Sequence, residues 1–289
     1  MSEAPPIHGN YRGYYHKRPS FRDPRLALIP QDVFQDARVL DVGCNEGWIT
    51  CDIARYFGAK KVIGVDIDDV LIRAAWKRRR TVWSQDPLTN DPEDNSNDGN
   101  GLPFKSEKKR TNDEKSTETS LFRDEPRFPA AFEHMFGPLS IPPTVSGSND
   151  NEKFPHNVIF RAADWVNGDI IEDREGYDVV LGLSITKWIH LNDGDDGIRT
   201  FFTRVYSVLR LGGVFIVEPQ EWESYAKARR MDPKLKENAQ KLQLRPPDFE
   251  NILIELGFYA PTHLGQTGKG GFQRPLDLYV KRDKDRQCH

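Results

Sequence analysis

Short apolar runs alternate with stretches of helical periodicity on both sides of a long polar segment. The apolar runs, which have the length of buried strands, are ARVLDVG (37–43), KVIGVDID (61–68), NVIFRAADW (157–165), YDVVLGLS (177–184) and VFIVEP (214–219). The predicted helices are WITCDIARYFG (48–58), DVLIRAAWKRRR (69–80) and GIRTFFTRVYSVLRLGG (197–213). Strands that alternate with helices predict an α/β fold with a mainly parallel, doubly wound, Rossmann-like sheet.

The polar segment, residues 86–155, interrupts this alternation after the second predicted helix. It holds 9 of the 20 prolines, with 14 Asp or Glu against 8 Lys or Arg, so it is more acidic than the whole chain, which carries −3. A segment of this composition buries too little apolar surface to offset the entropy of ordering. We predict a single domain over residues 1–289 that carries a largely disordered insertion at 86–155.

Composition is typical of an intracellular globular protein. Hydrophobic residues make up 37% and charged residues 29% of 289 positions, and no apolar run approaches the roughly 18 residues of a membrane span. The N-terminal stretch has no apolar core of a signal peptide, and the three cysteines lack the spacing of a disulfide framework or a zinc site. We therefore expect no membrane segment, no metal and a reducing compartment.

The loop after the first predicted strand, in DVGCNEGWIT (41–50), has the composition of a nucleotide-binding turn. Gly43 and Gly47 permit positive φ and close approach of a ligand, and the following helix presents free N–H groups. Asp66, which lies 19 residues after Gly47, is placed to accept ribose hydroxyls. Asp41 suits an ammonium better than a pyrophosphate by the sign of its charge. These residues favour S-adenosylmethionine over a dinucleotide.

A second polar stretch follows the fourth predicted strand and contains Lys187, Trp188 and His190. In a doubly wound sheet the loops at the carboxyl ends of the strands converge on one ligand site. We therefore expect residues 184–192 to form a catalytic loop beside the cofactor.

Six motifs, in order, resemble the Bin3 family of RNA methyltransferases. They are GNYRGYYHKR (9–18), LDVGCNEGWIT (40–50), GVDID (64–68), LSITKWIHLNDGDDG (183–197), EPQEWESY (218–225) and GFQRPLDLYV (271–280). The resemblance implies a class I, seven-strand methyltransferase fold. It also implies methyl transfer from S-adenosylmethionine to the γ-phosphate at the 5′ end of a small non-coding RNA. Residues 1–30 would cover the cofactor and the substrate.

The resemblance also assigns roles to individual positions. Those aligned with cofactor contacts are Tyr15, Arg25, Gly43, Cys44, Asn45, Asp66, Ile67, Asp68, Asp164, Trp165 and Leu183. Tyr14 and Lys187 align with residues near the acceptor phosphate and are the predicted catalytic residues.

The side-chain chemistry of these residues suits a phosphate acceptor. A terminal phosphate has a second pKa of about 6, so its oxygen is anionic at neutral pH and needs no general base. The transfer needs an in-line approach held by cations and hydroxyl donors, which Lys187, Tyr14 and Arg18 supply. We interpret His190 as a structural histidine or an RNA contact. Trp188 is interpreted as a packing residue or a platform for the first base.

Basic residues interleaved with aromatic ones predict contacts to a single-stranded RNA end. The predicted RNA contacts are Tyr11, Arg18, Trp188, His190, Lys227, Arg229, Arg230, Phe272 and Arg274. For the cluster in YAKARR (225–230) a solvated helix face is an alternative, and for GKGGFQRP (268–275) a plain β-turn is one.

Two alternative functions stay open from the sequence alone. One is a methyltransferase that acts on a 5′-monophosphate or another acceptor. The other is a catalytically weak RNA-binding protein that stabilises an RNA–protein complex. The expected partners are an RNA 5′ end and further proteins of a ribonucleoprotein, and the expected location is nuclear.

Overall fold

The computed structural model describes residues 8–9, 22–85, 134–144, 149–268 and 273–283. Its strands are β1 Arg38–Val42, β2 Lys61–Asp66, β3 Val158–Ala162, β4 Tyr177–Leu183, β5 Leu209–Glu218, β6 Thr262–Thr267 and β7 Arg274–Val280. Its α-helices are α1 Trp48–Tyr56, α2 Asp69–Ser84, α3 Thr186–Val208, α4 Tyr225–Ala228, α5 Pro233–Lys241 and α6 Asp248–Leu256.

The seven strands of the described residues form one sheet in the order β3-β2-β1-β4-β5-β7-β6. The first five of these are parallel to one another, while β7 runs antiparallel to β5 and β6 antiparallel to β7. The predicted doubly wound α/β fold is therefore confirmed, and the strand order is that of a class I methyltransferase. The direction of winding reverses between β1 and β4, which places the ligand-binding edge at the carboxyl ends of these strands.

Each face of the sheet buries its own apolar cluster. One cluster joins β1, β2 and β3 with α1 and α2 through residues such as Val39, Ile53 and Phe160. The other joins the opposite face to α3 and α6 through residues such as Phe201 and Phe249. Because every residue of β1 is buried, this strand holds the cofactor loop that follows it in a fixed position.

The helix after β4 differs from its prediction at both ends. Helix α3 begins at Thr186 rather than 197, because a kink at Gly194, with φ 72° and ψ −166°, lets the chain continue as helix on both sides. It ends at Val208 rather than 213, because Leu209 pairs with Tyr177 and already belongs to β5. The predicted catalytic loop is thus mostly the first turns of a helix.

Three elements near the C-terminus, strand β6 and helices α5 and α6, were not predicted. Strand β6, with sequence THLGQT, lies at the edge of the sheet and is mostly exposed, so it has no apolar run. Helix α5 is polar apart from two buried residues, Leu235 and Ala239, which is too short a pattern to predict a helix.

The predicted insertion at 86–155 lies mostly outside the described residues. The described residues 81–85 and 134–140 belong to one unit, in which the Leu139 amide donates to the Ser84 hydroxyl at 2.9 Å. Residues 149–155 are part of the main unit, where Glu152 pairs with Lys60 at 2.8 Å. The Pro155 carbonyl accepts from Arg79 Nε at 2.7 Å. The insertion therefore ends earlier than residue 155, whereas disorder of its remainder stays a prediction.

Among the helices that the structure describes, none combines the length and the apolar content needed to span a bilayer.

Candidate functional site

A cavity of about 480 Å³ opens at the carboxyl ends of β1, β2, β4 and β5. Its size lies within the range of cofactor pockets. Fourteen of the predicted site residues line it: Arg25, Asp41, Gly43, Cys44, Asn45, Asp66, Ile67, Asp164, Trp165, Leu183, Lys187, Trp188, Lys227 and Arg274. The structure thus brings most of the described candidates together.

The turn after β1 is shaped for close approach of a ligand. Gly43 has φ 76° and Asn45 has φ 53°, so two residues of the turn are left-handed. Asp41 at the end of β1 is buried and accepts from the Thr50 hydroxyl at 2.6 Å. Burial raises the pKa of Asp41 to about 6, although Thr50 and Arg25 lower it. A nearby cation stabilises the charged form of a buried carboxylate. Asp41 therefore favours binding of an ammonium group.

Asp66 ends β2 and holds the cofactor turn against it. One carboxylate oxygen accepts from the Asn45 amide at 2.9 Å, and the other accepts from the Asp68 amide at 3.0 Å. Burial raises the pKa of Asp66 despite these bonds. The two oxygens offer about four acceptor sites, so the carboxylate can also accept from a ribose hydroxyl.

Two predicted cofactor contacts, Gly47 and Asp68, do not line the cavity. Gly47 precedes α1 with φ 73°, and a Cβ there would lie 2.6 Å from the ring of Phe160. The Asp68 carboxylate accepts from the Val70 amide at 2.8 Å at the start of α2. In this structure Gly47 permits a tight turn and Asp68 caps a helix, while their contact with the cofactor stays a prediction.

The cavity is also lined by residues that follow β2 and β3. Ile67 lines the cavity and exposes 42% of its surface, which leaves an apolar area for a ligand to contact. Trp165 is buried, and its indole N–H donates to the Asp173 carboxylate at 3.1 Å, so its ring is held in the core. Asp164 is exposed beside it and accepts from the Asn167 amide group at 2.9 Å.

Arg25 lines the cavity, but its guanidinium is already engaged. It pairs with Asp23 at 2.7 Å and with Glu218 at 2.8 Å, and all three side chains are almost fully buried. Ser184 donates to Glu218 and accepts from Arg274 at 2.8 Å. This network joins the segment before β1 to the ends of β4, β5 and β7. Arg25 therefore shapes the cavity wall in this structure.

Lys187 lies in the first turn of α3 and points into the cavity. Its Nζ lies 3.3 Å from the Ser224 hydroxyl and 5.1 Å from the centre of the Trp188 ring. Burial lowers the pKa of Lys187 to about 8, and repulsion by Arg274 and Lys227 adds to the effect. The ammonium is still charged at neutral pH. Three cations therefore face one region of the cavity and favour a multiply charged anion.

Trp188 is 7% exposed and packs with Leu191, Tyr225 and other apolar residues under α4 and α5. A Cβ at Gly9 would lie 2.0 Å from its ring, so the backbone of the N-terminal segment rests directly on the indole. Trp188 is therefore a packing residue, which is one of its two interpretations from the sequence. Stacking of an RNA base on Trp188 stays a prediction.

The expectation that His190 contacts RNA is corrected by its burial. The side chain is fully buried, with Nε2 2.7 Å from Asp195 and Nδ1 3.2 Å from the Tyr225 hydroxyl. Burial lowers the pKa of His190, although Asp195 opposes this shift. His190 therefore ties α3 to its neighbours as a structural histidine.

The remaining predicted RNA contacts divide into two groups. Arg229 and Arg230 are exposed and lie outside the cavity lining, so a role in phosphate binding stays a prediction. Tyr11, Arg18 and Phe272 lie outside the described residues, as do Tyr14, the second predicted catalytic residue, and Tyr15, a predicted cofactor contact.

Gln220 is a site residue that sequence reasoning missed. It lines the cavity two positions after β5, and its side chain contacts the chain around Lys187. The only sequence signal was its place in EPQEWESY, where its chemistry gave no reason to single it out.

The cavity fits S-adenosylmethionine. A buried carboxylate, Asp41, is available for the ammonium of the methionine moiety, and Asp66 is available for the ribose. The class I fold, with residues 39–100 matching a methyltransferase domain, uses this cofactor, so the cofactor prediction is confirmed at the level of the fold. Among the described residues, no group of three or more His, Cys, Asp or Glu is arranged to hold a metal ion.

Three known proteins are similar to this chain in sequence. The human 7SK snRNA methylphosphate capping enzyme is 35% identical over 288 residues, 95% of this chain and 39% of that protein. A probable RNA methyltransferase of Arabidopsis thaliana is 32% identical over 282 residues, 94% of this chain and 80% of that protein. The RNA 5′-monophosphate methyltransferase of Pongo abelii is 44% identical over 62 residues, 22% of this chain and 20% of that protein.

The chain spans about two fifths of the length of the human relative. Residues 177–281, which contain Lys187, Gln220 and Arg274, match the family Bicoid-interacting protein 3 (Bin3). Together with the similarity to the Arabidopsis protein over most of both chains, this match shows that the chain belongs to the Bin3 family.

Proposed function

We propose that the chain transfers a methyl group from S-adenosylmethionine to the 5′-terminal phosphate of a small non-coding RNA. The observation that carries the proposal is the division of one cavity into an anionic end, with Asp41 and Asp66, and a cationic end. The cationic end holds Lys187, Lys227 and Arg274. The human relative is named a 7SK snRNA methylphosphate capping enzyme, and the Pongo relative an RNA 5′-monophosphate methyltransferase. Both names support the same substrate class.

The described residues account for binding and orientation. Asp41 and Asp66 hold the two ends of the cofactor, which when bound supplies an electrophilic methyl group. Lys187, in the first turn of α3 after β4, would donate to the acceptor phosphate and orient its oxygen for the transfer. The oxygen is already anionic near neutral pH, so no residue has to remove a proton. Positioning is therefore the main catalytic contribution of the protein, with Tyr14 as a proposed second donor.

Incubation with labelled S-adenosylmethionine and matched RNAs tests the proposal. The RNAs share one sequence and carry a 5′-triphosphate, a 5′-monophosphate or a 5′-hydroxyl. We expect label on phosphorylated ends and none on the hydroxyl end. Label that appears equally on all three RNAs, or on none, contradicts transfer to a terminal phosphate.

The same assay decides between two acceptors. Three cations in one region of the cavity favour the higher charge of a triphosphate. The similarity over 62 residues to a monophosphate methyltransferase is the observation that favours the alternative. Preferential labelling of the monophosphate RNA at equal concentration would select this second acceptor.

We further propose that the protein works in the nucleus within a ribonucleoprotein. Support comes from the small nuclear RNA named for the human relative. Imaging of a fluorescent fusion and recovery of RNA-dependent protein partners from nuclear extract test the two parts. A protein that is excluded from the nucleus contradicts the first part.

A further inference from the structure

Gln220 is buried at the junction between the ends of β4 and β5. It exposes 1% of its surface, and its side-chain amide faces the turn that leads from β4 into α3. The amide oxygen accepts from the Thr186 hydroxyl at 2.9 Å and from the Lys187 backbone N–H at 3.0 Å. The amide nitrogen donates to the Ser184 carbonyl. One side chain thus contacts three of the four residues of this turn.

The turn needs such a partner for two reasons. Ser184 has φ 62°, a left-handed conformation that costs free energy in a residue other than glycine. Helix α3 has no capping side chain of its own, because its N-cap residue is Ile185. The first backbone N–H groups of a helix lack partners within the helix, and Gln220 supplies an acceptor for one of them.

We infer that Gln220 is the positioning residue that holds the backbone of Lys187 so that its ammonium points into the acceptor region. This inference rests on the proposed function for its catalytic consequence, though its structural part concerns the free protein. Loss of the amide contacts releases the turn, and the side chain of Lys187 then moves toward solvent. None of these bonds reaches the cofactor turn after β1, so we expect a larger effect on the acceptor region than on cofactor binding.

The ionisation of Lys187 reports its position. Burial and two nearby cations lower the pKa of Lys187 to about 8 in the native arrangement. A lysine that has moved into solvent titrates near its usual value of about 10.4. A variant that is only less stable loses folded protein but leaves the pKa of Lys187 in the remaining folded molecules unchanged.

The first test compares Gln220→Met, which keeps the shape but lacks the amide, with Gln266→Met at an exposed position of β6. The pH dependence of acylation of the Lys187 amine is followed by peptide mass spectrometry in cofactor-free protein. We expect the midpoint for Gln220→Met to rise by one unit or more, and that for Gln266→Met to match the wild type. If the midpoint for Gln220→Met coincides with that of the wild type, the inference is wrong.

Thr186→Val provides a second test that does not depend on the folding of Gln220→Met. It removes one hydrogen bond to the Gln220 amide and keeps the bond to the Lys187 backbone. We expect a smaller rise of the acylation midpoint in the same direction. If both single variants fold, Thr186→Val should add nothing in the Gln220→Met background, because both act through one contact. An unchanged midpoint in Thr186→Val, or full additivity, contradicts the inference.

Methyl transfer then separates this inference from the proposed function. With active wild-type protein, Gln220→Met should lower kcat at least tenfold, a larger factor than its change in the KM for S-adenosylmethionine. Inactive wild-type protein contradicts the proposed function, while the acylation midpoints still decide the role of Gln220. An unchanged kcat in a variant with a shifted midpoint contradicts the catalytic part alone.

Discussion

At the scale of single residues, the site depends on charges that burial makes costly. Asp41, Asp66 and Lys187 each have a pKa that burial shifts toward the neutral form, so the described residues around each of them do not fully compensate its charge. A ligand that brings an ammonium to Asp41, hydroxyl donors to Asp66 and an anion to Lys187 lowers this cost. Three of the residues with shifted pKa values therefore lie where the proposed substrates would bind.

Asp41 predicts a pH dependence of cofactor affinity. Its pKa of about 6 lies above the usual value, so the carboxyl group is protonated below pH 6 and the ammonium loses its partner. We expect the affinity for S-adenosylmethionine, measured by calorimetry, to be about tenfold weaker at pH 5 than at pH 7. Asp41→Asn should bind more weakly at pH 7 and show a smaller pH effect. An equal pH effect in this variant contradicts the assignment.

Ionised Asp41 should favour cofactor binding but destabilise the cofactor-free protein. Because the folded-state pKa is raised, ionised Asp41 destabilises the cofactor-free fold as the pH rises through 6. Asp41→Asn should therefore stabilise the free protein at pH 7, by about 1–2 kcal/mol, and should do so less at pH 4.5. Urea unfolding at the two pH values measures this difference. A variant that is less stable at pH 7 contradicts the idea.

Lys187 predicts a loss of rate without loss of cofactor. Lys187→Met keeps the length of the side chain but removes the charge that faces the acceptor. We expect kcat for a phosphorylated RNA to fall roughly 10- to 150-fold, the usual effect of losing a charged contact, with unchanged cofactor affinity. Lys236→Met, at an exposed position of α5, is the matched control. Comparable rates in the two variants would remove Lys187 from the mechanism.

At the scale of elements, buried strands and the turns that follow them were predictable, whereas polar elements were not. Strand β1 and the Gly43 turn have strong apolar and glycine patterns, so fold and cofactor site follow from them. Helix α5 and strand β6 are mostly polar at exposed positions and leave no such pattern. Gln220 was missed because its partners come from the turn after β4, a pairing that exists only in three dimensions.

Gly47 tests whether the start of α1 depends on glycine for conformation alone. Gly47 and Gly212 share φ 73°, but a Cβ at Gly47 meets the buried ring of Phe160 at 2.6 Å, while Gly212 has open space around it. Both alanine variants carry the strain of a left-handed residue. We expect Gly47→Ala to cost about 1–3 kcal/mol more than Gly212→Ala in denaturant unfolding, because the packed ring cannot move away. Equal losses would show that Phe160 adapts.

At the scale of the whole molecule, one sheet edge gathers segments that are far apart in the chain. A network of ion pairs and hydrogen bonds joins the segment before β1 to β4, β5 and β7 at the cavity. Its members are Asp23, Arg25, Ser184, Glu218 and Arg274. The polar segment between α2 and β3 contributes none of the described residues that line this cavity. We therefore predict that residues 88–133, which lie outside the described part of the chain, are a segment distinct from the catalytic domain.

Replacement of residues 88–133 by a flexible linker of about ten residues tests this division. These residues are acidic and poor in apolar periodicity, so they add little burial, and a shorter loop should lower the entropic cost of closure by about 1 kcal/mol. We expect equal or slightly higher stability in urea and unchanged affinity for S-adenosylmethionine. As a contrast, replacement of 149–155 by glycine and serine should destabilise the fold, because Glu152 and Pro155 contact Lys60 and Arg79. Loss of cofactor binding on the first replacement would make the insertion part of the catalytic body.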